Sequence, residues 1–305
     1  MGGGSYSYIS SRSRADRLSA TANSIDVKTY ACMDSATKSV YAAKSSSFVA
    51  QNTFTQRSLD PEMNINGKVR ESCDSEEHPE SFPIIIALDV TGSMSTIPAE
   101  LISDSFPEIM KSVMDANVEH AQVCFVGVGD DIYDRCPIQV GQFETSDELT
   151  EKWLKKLYLE GGGGGNFGEA YALAWYVAAR HTKIDSFEKR NKKGVLITIG
   201  DEPCLKMHSR HTIKSLFGDD LQGDIISADL FKEVSEKWDV YHIDAGRCSD
   251  FWESQFPGIK ILKSGRTINS IASNIVKAIV TSYKGNTLEY PHIDTTSEEK
   301  EDIIL

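Results

Sequence analysis

The stretch Ile84-Ile85-Ile86-Ala87-Leu88-Asp89-Val90-Thr91-Gly92-Ser93 decides the reading of this chain. Five consecutive apolar residues without polar alternation are what a strand buried on both faces requires. The run stops at a carboxylate, and Thr91-Gly92-Ser93 then turns the chain. Beyond the turn, Ile97, Leu101, Phe106, Ile109, Met110 and Val113 recur at helical spacing, which predicts a helix over residues 97 to 115 with Pro107 as a local flaw.

The same alternation continues downstream. Residues 121 to 128 read as a second buried strand that ends in an acidic turn at Asp130-Asp131, and residues 138 to 143 as a third strand. An amphipathic helix is predicted over residues 147 to 159, carrying Leu149, Trp153, Leu154 and Leu157. Five glycines, Gly161 to Gly165, then precede a helix from Phe167 to His181. Val195 to Ile199 is another buried strand, and it too leads into an acid, Asp201. A helix near residues 227 to 237, strands at 240 to 243 and 259 to 262, and a helix at 268 to 283 follow. Strands alternating with helices predict an α/β fold: a doubly wound, mainly parallel central sheet with helices on both faces. Ligands of such sheets sit beyond the carboxyl ends of the strands. Asp89 and Asp201 fall at strand ends, and the glycine run at a helix start.

Composition sets the frame around this segment. The 305 residues carry 32 basic and 45 acidic side chains, a net charge of −13 that argues against nucleic acid as a partner. Residues 1 to 80 are rich in Ser, Thr and Ala without a sustained apolar period, and read as an arm that is flexible or ordered by a partner. Residues 81 to 285 form the domain, and 286 to 305 an acidic tail. No apolar run approaches a membrane span of about 20 residues. The N-terminus lacks the basic and apolar regions of a secretory signal, so a soluble, cytoplasmic protein is expected. The six cysteines, at irregular spacing, do not form a disulfide framework, and Cys124 suits a buried thiol.

A carboxylate followed by hydroxyls two and four residues on suits a hard divalent cation, which takes oxygen ligands and keeps several waters. With little negative charge near it, such an ion stays electrophilic toward a carboxylate from another molecule. Asp89-Val90-Thr91-Gly92-Ser93-Met94-Ser95 resembles the metal-ion-dependent adhesion site, D-x-S/T-x-S, of von Willebrand factor A (VWA) domains, and the resemblance extends over residues 82 to 284. The segment also resembles intracellular bacterial and phage proteins with similar LDVTGSM and Gly-rich segments. The resemblance implies that Asp89, Thr91 and Ser93 face Mg²⁺ (or Mn²⁺ or Ca²⁺), with Asp201 from the third loop. The family's second-loop Thr is missing; Asn166 is the candidate in its place, with Glu169 also within reach of the site. Gly164, Gly165 and Glu202 would frame the partner. The implied function is a non-enzymatic, metal-dependent module that captures an Asp or Glu of a protein partner, such as an AAA+ ATPase or a large assembly.

Other readings compete. Thr91 and Ser93 can simply start a helix. The chain can be a structural or assembly subunit with a degenerate metal site. It can also be a Mg²⁺-dependent aspartyl-phosphate phosphatase, with Asp89 as nucleophile and Asp201 or Asp219-Asp220 holding the ion. Asp130, Asp131 and Asp134 read as a solvated loop, with a carboxylate cluster as the alternative. Cys204, His208 and His211 make a loose zinc-like pattern without a fourth ligand. His242 reads as a core or edge histidine, and Trp175-Tyr176 as packing.

Overall fold

The computed structural model describes residues 4–34, 36–38, 40–41, 54–94, 96–101, 105–161 and 168–285. Its centre is a six-stranded sheet built from β2 (Phe82–Asp89), β3 (Ala121–Val128), β4 (Ile138–Val140), β6 (Gly194–Gly200), β9 (Trp238–Asp244) and β10 (Lys260–Lys263). The strand order is β10-β9-β6-β2-β3-β4. All pairs are parallel except β3–β4, where Val126 faces Val140 on an antiparallel edge. Two short pairs lie outside it: β1 (Arg70–Ser72) with β5 (Thr182–Ile184), and β7 (Met207–His208) with β8 (Ile225–Ile226).

Every residue of β2 is buried, and its side chains divide by parity between two cores. Ile84, Ile86 and Leu88 join the core under α3 (Ile97–Glu100), α4 (Phe106–Asp115), α5 (Asp147–Lys155) and α11 (Ile268–Lys284). Ile85 and Ala87 join the other, under α6 (Tyr171–Arg180), α8 (Arg210–Phe217), α9 (Ser227–Lys237) and α10 (Ser249–Gln255). The short α7 (Asp185–Arg190) links β5 to β6. The fold is therefore the doubly wound α/β arrangement expected from the alternation.

Differences in helix limits have local causes. Residues 97 to 115 hold two helices, α3 and α4, and Pro107 stands in the first turn of α4. There its missing N–H costs no hydrogen bond, so the residue marks a start and not a flaw. Helix α5 ends at Lys155, yet Leu157 beyond it is fully buried, so apolar spacing outlasted the helix. Helix α6 begins at Tyr171, because the N–H groups of Glu169 and Ala170 are committed to Pro203 O (2.9 Å) and Gly129 O (3.1 Å).

Upstream, helix α1 (Tyr8–Ala22) is capped by Ser7 and lies along α4 and α5, with α2 (Val27–Ala31) beside it. The contact is mostly polar. Arg14 donates to Asp147 (2.5 Å) and Glu151 (2.7 Å), Tyr8 donates to Glu108 (2.8 Å), and Tyr6 meets Phe106 edge-on. Met63 and Ile65 are buried, and Val140 N donates to Met63 O, so packing begins well before β2. All six cysteines are free thiols.

Candidate metal centre

From β2 the chain passes to β3 and β4 on one side of the sheet, then returns to build β6, β9 and β10 on the other. Strand order thus reverses between β2 and β6, and a crevice opens there beyond their carboxyl ends. Asp89 is the last residue of β2, and Asp201 directly follows β6. The two acids singled out in the sequence are brought together by this reversal alone.

A continuous chain of hydrogen bonds joins them. The Tyr171 hydroxyl donates to Asp89 Oδ2 (2.7 Å), while Asp89 Oδ1 accepts from Thr91 N (2.9 Å) and Thr91 Oγ1 (2.6 Å). Thr91 Oγ1 lies 3.1 Å from Ser93 Oγ, which donates to Asp201 Oδ1 (2.7 Å). Arg266, between β10 and α11, closes the far end. Its Nη1 donates to Asp201 Oδ2 (2.6 Å) and its Nη2 to the Ser93 carbonyl. The helix-cap reading of Thr91 and Ser93 fails on this geometry, because α3 has no side-chain cap and both hydroxyls point along the chain of oxygens.

Burial dominates the electrostatics of Asp89. Asp89 is fully buried, and desolvation pushes its carboxyl from 3.8 up to about 6. The Thr91 and Tyr171 bonds oppose that rise, and the Asp201 charge adds to it. Gly200 makes the Tyr171 bond possible, since a Cβ there would overlap the Tyr171 hydroxyl. Around this pair the field is acidic. Glu169 is pushed up to about 9, by burial first and then by Asp89, Asp130, Asp134 and Glu202. Glu202 is raised by burial and by Asp201.

The donor set fits a hard cation. Neighbouring oxygens around an octahedral ion with bonds of about 2.1 Å lie about 3 Å apart. The links Asp89–Thr91, Thr91–Ser93 and Ser93–Asp201 are hydrogen bonds of 2.6, 3.1 and 2.7 Å, which hold these oxygens close together in a row. Among the described residues no three His, Cys, Asp or Glu side chains converge on one point, so hydroxyls and water must supply much of any coordination.

Of the residues expected at the site, Asp89, Thr91, Ser93 and Asp201 are assembled, and Glu202 stands beside Asp201. Asn166, Gly164, Gly165 and Ser95 lie outside the described residues. Both flanks of the glycine run adjoin the site: Glu160 N donates to Val90 O (3.1 Å), and Glu169 is close enough for the Asp89 charge to act on it. Two residues escaped the sequence reading. Tyr171 was visible only as one residue inside the helix predicted from Phe167 to His181, and nothing marked Arg266.

Several alternatives close. The loop is exposed at Ile132 and Tyr133, but Asp130 is fully buried and Asp131 is bonded to His208 (2.7 Å), so its first two acids are not solvated. Cys204 Sγ donates to Leu205 O, and among the described residues Cys204, His208 and His211 do not converge as a metal-holding group. His242 is a core residue stacked on Trp252 at 3.6 Å, with burial lowering its pKa to about 3. Trp175 packs against Trp252, Phe231 and Phe256. Asp219 accepts from Tyr176 and His181 at the far end of α6, about 15 Å along the helix from Tyr171 at 1.5 Å per residue, and cannot share an ion with Asp89.

No family model matches the chain, and no curated protein matches it. Among solved structures, the pilus adhesin SpaC from Lactobacillus rhamnosus GG in its open conformation is 9% identical, with a TM-score of 0.43 over 72% of this chain and 31% of that one. A second form of the adhesin gives 9% identity and a TM-score of 0.45, over 72% and 32%. The SpRpn10 VWA domain is 11% identical, with a TM-score of 0.37 over 64% of this chain and 94% of that one. The chain thus spans about a third of the adhesin's length. Among the described residues, no helix is long and apolar enough to cross a membrane.

Proposed function

We propose that this chain is a protein-binding module of the VWA kind, which holds a divalent cation at Asp89, Thr91, Ser93 and Asp201 and uses it to capture an exposed Asp or Glu of a partner. The observation that carries this reading is the hydrogen-bonded run of oxygens from Asp89 through Thr91 and Ser93 to Asp201, with links of 2.6, 3.1 and 2.7 Å, at the reversal of strand order. When bound, Mg²⁺ or Mn²⁺ supplies the electrophile for an incoming carboxylate. Tyr171 and the Thr91 N–H hold Asp89 in place, and burial keeps water from its far side. Arg266 fixes Asp201 through the oxygen that Ser93 does not use. Asn166 is the proposed second-loop donor, and Gly164, Gly165 and Glu202 the proposed rim. The module is proposed to be non-enzymatic, and the partner to be an AAA+ ATPase or a component of a large assembly.

Calorimetric titration of the chelator-treated chain with Mn²⁺ and Mg²⁺, beside Asp89→Ala, tests the reading. Saturable heat from the parent and none at this site in the variant supports it. Equal binding by both would sink it.

A further inference from the structure

Strand β2 ends at Asp89 between β3 and β6, and the loops that leave those two flanking strands carry an exposed apolar rim. Ile132 and Tyr133 come after β3, Met207 comes after β6, and Ile226 is the partner of Met207 in the β7–β8 pair. All four are between 44% and 67% exposed. They are four of the nine large apolar side chains that the described residues leave in water, and the other five are spread over the N-terminal helices, the approach to β1 and α4. Single exposed apolar residues are ordinary, whereas a group of them marks a contact surface.

Packing fixes how the group is presented. In the β7–β8 pair, His208 and Ile225 are buried, so Met207 and Ile226, directly opposite each other, both point outward. In the other loop, Asp130 Oδ1 accepts from Ile132 N (2.6 Å) and Tyr133 N (3.1 Å), which pins the backbone under both side chains. A buried pair ties the two loops together: Asp131 Oδ2 lies 2.7 Å from His208 Nδ1, next in sequence to Ile132 and Met207 respectively. The same framework reaches the Asp89 cluster. Ala170 N donates to Gly129 O (3.1 Å), Leu205 N donates to Glu169 O (3.0 Å), and Tyr171 donates to Asp89. Apolar groups on a backbone that is already held lose less freedom when covered, which favours binding.

We propose that this rim receives a bulky apolar side chain of the same partner segment whose Asp or Glu is captured at the metal centre. The ligand is then an extended peptide with an acid and a Phe or Leu a few positions apart. The inference rests on the proposed metal-dependent capture and supplies the partner's sequence chemistry. Val128 pairs with Asp89, Ile132 is four residues beyond Val128, and Met207 is six residues beyond Asp201. Chain reach therefore places the rim within about 20 Å of the centre, a gap that about six extended residues span. The acids of the crevice also call for a second contact. Asp89, Asp130, Asp134 and Glu202 all act on the Glu169 carboxyl, and the same charges repel an incoming carboxylate. Apolar burial beside the crevice offsets that repulsion.

Fluorescence anisotropy on the full chain tests this, with labelled Gly/Ser peptides that carry one central Asp, alone or with a Phe one to six positions to either side. Each is titrated in Mn²⁺ and in chelator. In Mn²⁺, at least one Phe peptide should bind the parent about tenfold more tightly than the Asp-only peptide. Tyr133→Ser, and Met207→Ser combined with Ile226→Ser, should remove that advantage, while Met114→Ser, an equally exposed apolar residue on α4, should keep it. These side chains are exposed, so the substitutions leave the cores intact. Metal-dependent binding of the Asp-only peptide with no gain from Phe at any position would overturn the rim and leave the metal centre standing. A Phe advantage that survives the rim substitutions would do the same. Binding of the Asp-only peptide that is equal in chelator and in Asp89→Ala would instead overturn the capture reading, and no binding of any peptide would overturn both.

Discussion

Replacing Asp89 by Asn should make the metal-free protein more stable at neutral pH, although Asp89 is the residue on which the proposed function rests. Burial raises its carboxyl from 3.8 to about 6. That difference is roughly two powers of ten in proton affinity, or about 3 kcal/mol. The folded state favours the proton, so this contribution is fully present below pH 4. It is lost as pH rises from about 4 to about 6, and above that the folded protein carries the buried charge at full cost. Asparagine keeps an oxygen for Thr91 and never ionises. The unfolding free energy of Asp89→Asn minus that of the parent should therefore climb by about 3 kcal/mol between pH 4 and pH 7. Urea unfolding in chelator at half-unit pH steps measures it, and groups common to both proteins cancel to first order. A difference that stays flat from pH 4 to pH 7 refutes the argument, whatever its constant offset. Saturating Mn²⁺ supplies a second arm: at 100 times the dissociation constant the parent gains about 2.7 kcal/mol, and the variant gains nothing from that site.

Other consequences follow from the same geometry. Gly200→Ala drives a Cβ into the Tyr171 hydroxyl and should cost about 1–3 kcal/mol in urea unfolding; an unchanged midpoint would show that Tyr171 does not reach Asp89. Arg266→Ala frees Asp201 from its anchoring bond and should weaken Mn²⁺ binding about 10–100-fold by calorimetry, whereas equal affinity would remove Arg266 from the site. Arg14→Ala breaks the bonds to Asp147 and Glu151 and should cost about 1–3 kcal/mol. Hydrogen exchange should then quicken across Tyr8–Ala22 while the β2 amides stay protected, and uniform exchange behaviour would speak against a separately docked helix.

Local sequence was enough for the elements and for the chemistry of the first loop. An unbroken apolar run such as Ile84 to Leu88 can only be covered on both sides, and Asp89, Thr91 and Ser93 are close in space because they are close in the chain. The ends of α4, α5 and α6 were less legible, since a helix stops where its amides or side chains find better partners elsewhere. The α6 start depends on Pro203 and Gly129, far away in sequence. Helix α1 could not be read at all, because it docks through Arg14, Tyr8 and Tyr6 and has no apolar stripe.

What the sequence by itself determined was therefore the doubly wound fold and the residue types at the two strand ends. Which distant groups meet there was decided by strand order. Placing β6 against β2 brings Asp201 to Ser93, the packing of α6 brings Tyr171 to Asp89, and the turn after β10 brings Arg266 to Asp201. The burial that makes Asp89 and Glu169 unusual acids is likewise a property of the packed molecule, because a carboxylate's affinity for a proton is set by the water and the charges it has lost or gained around it.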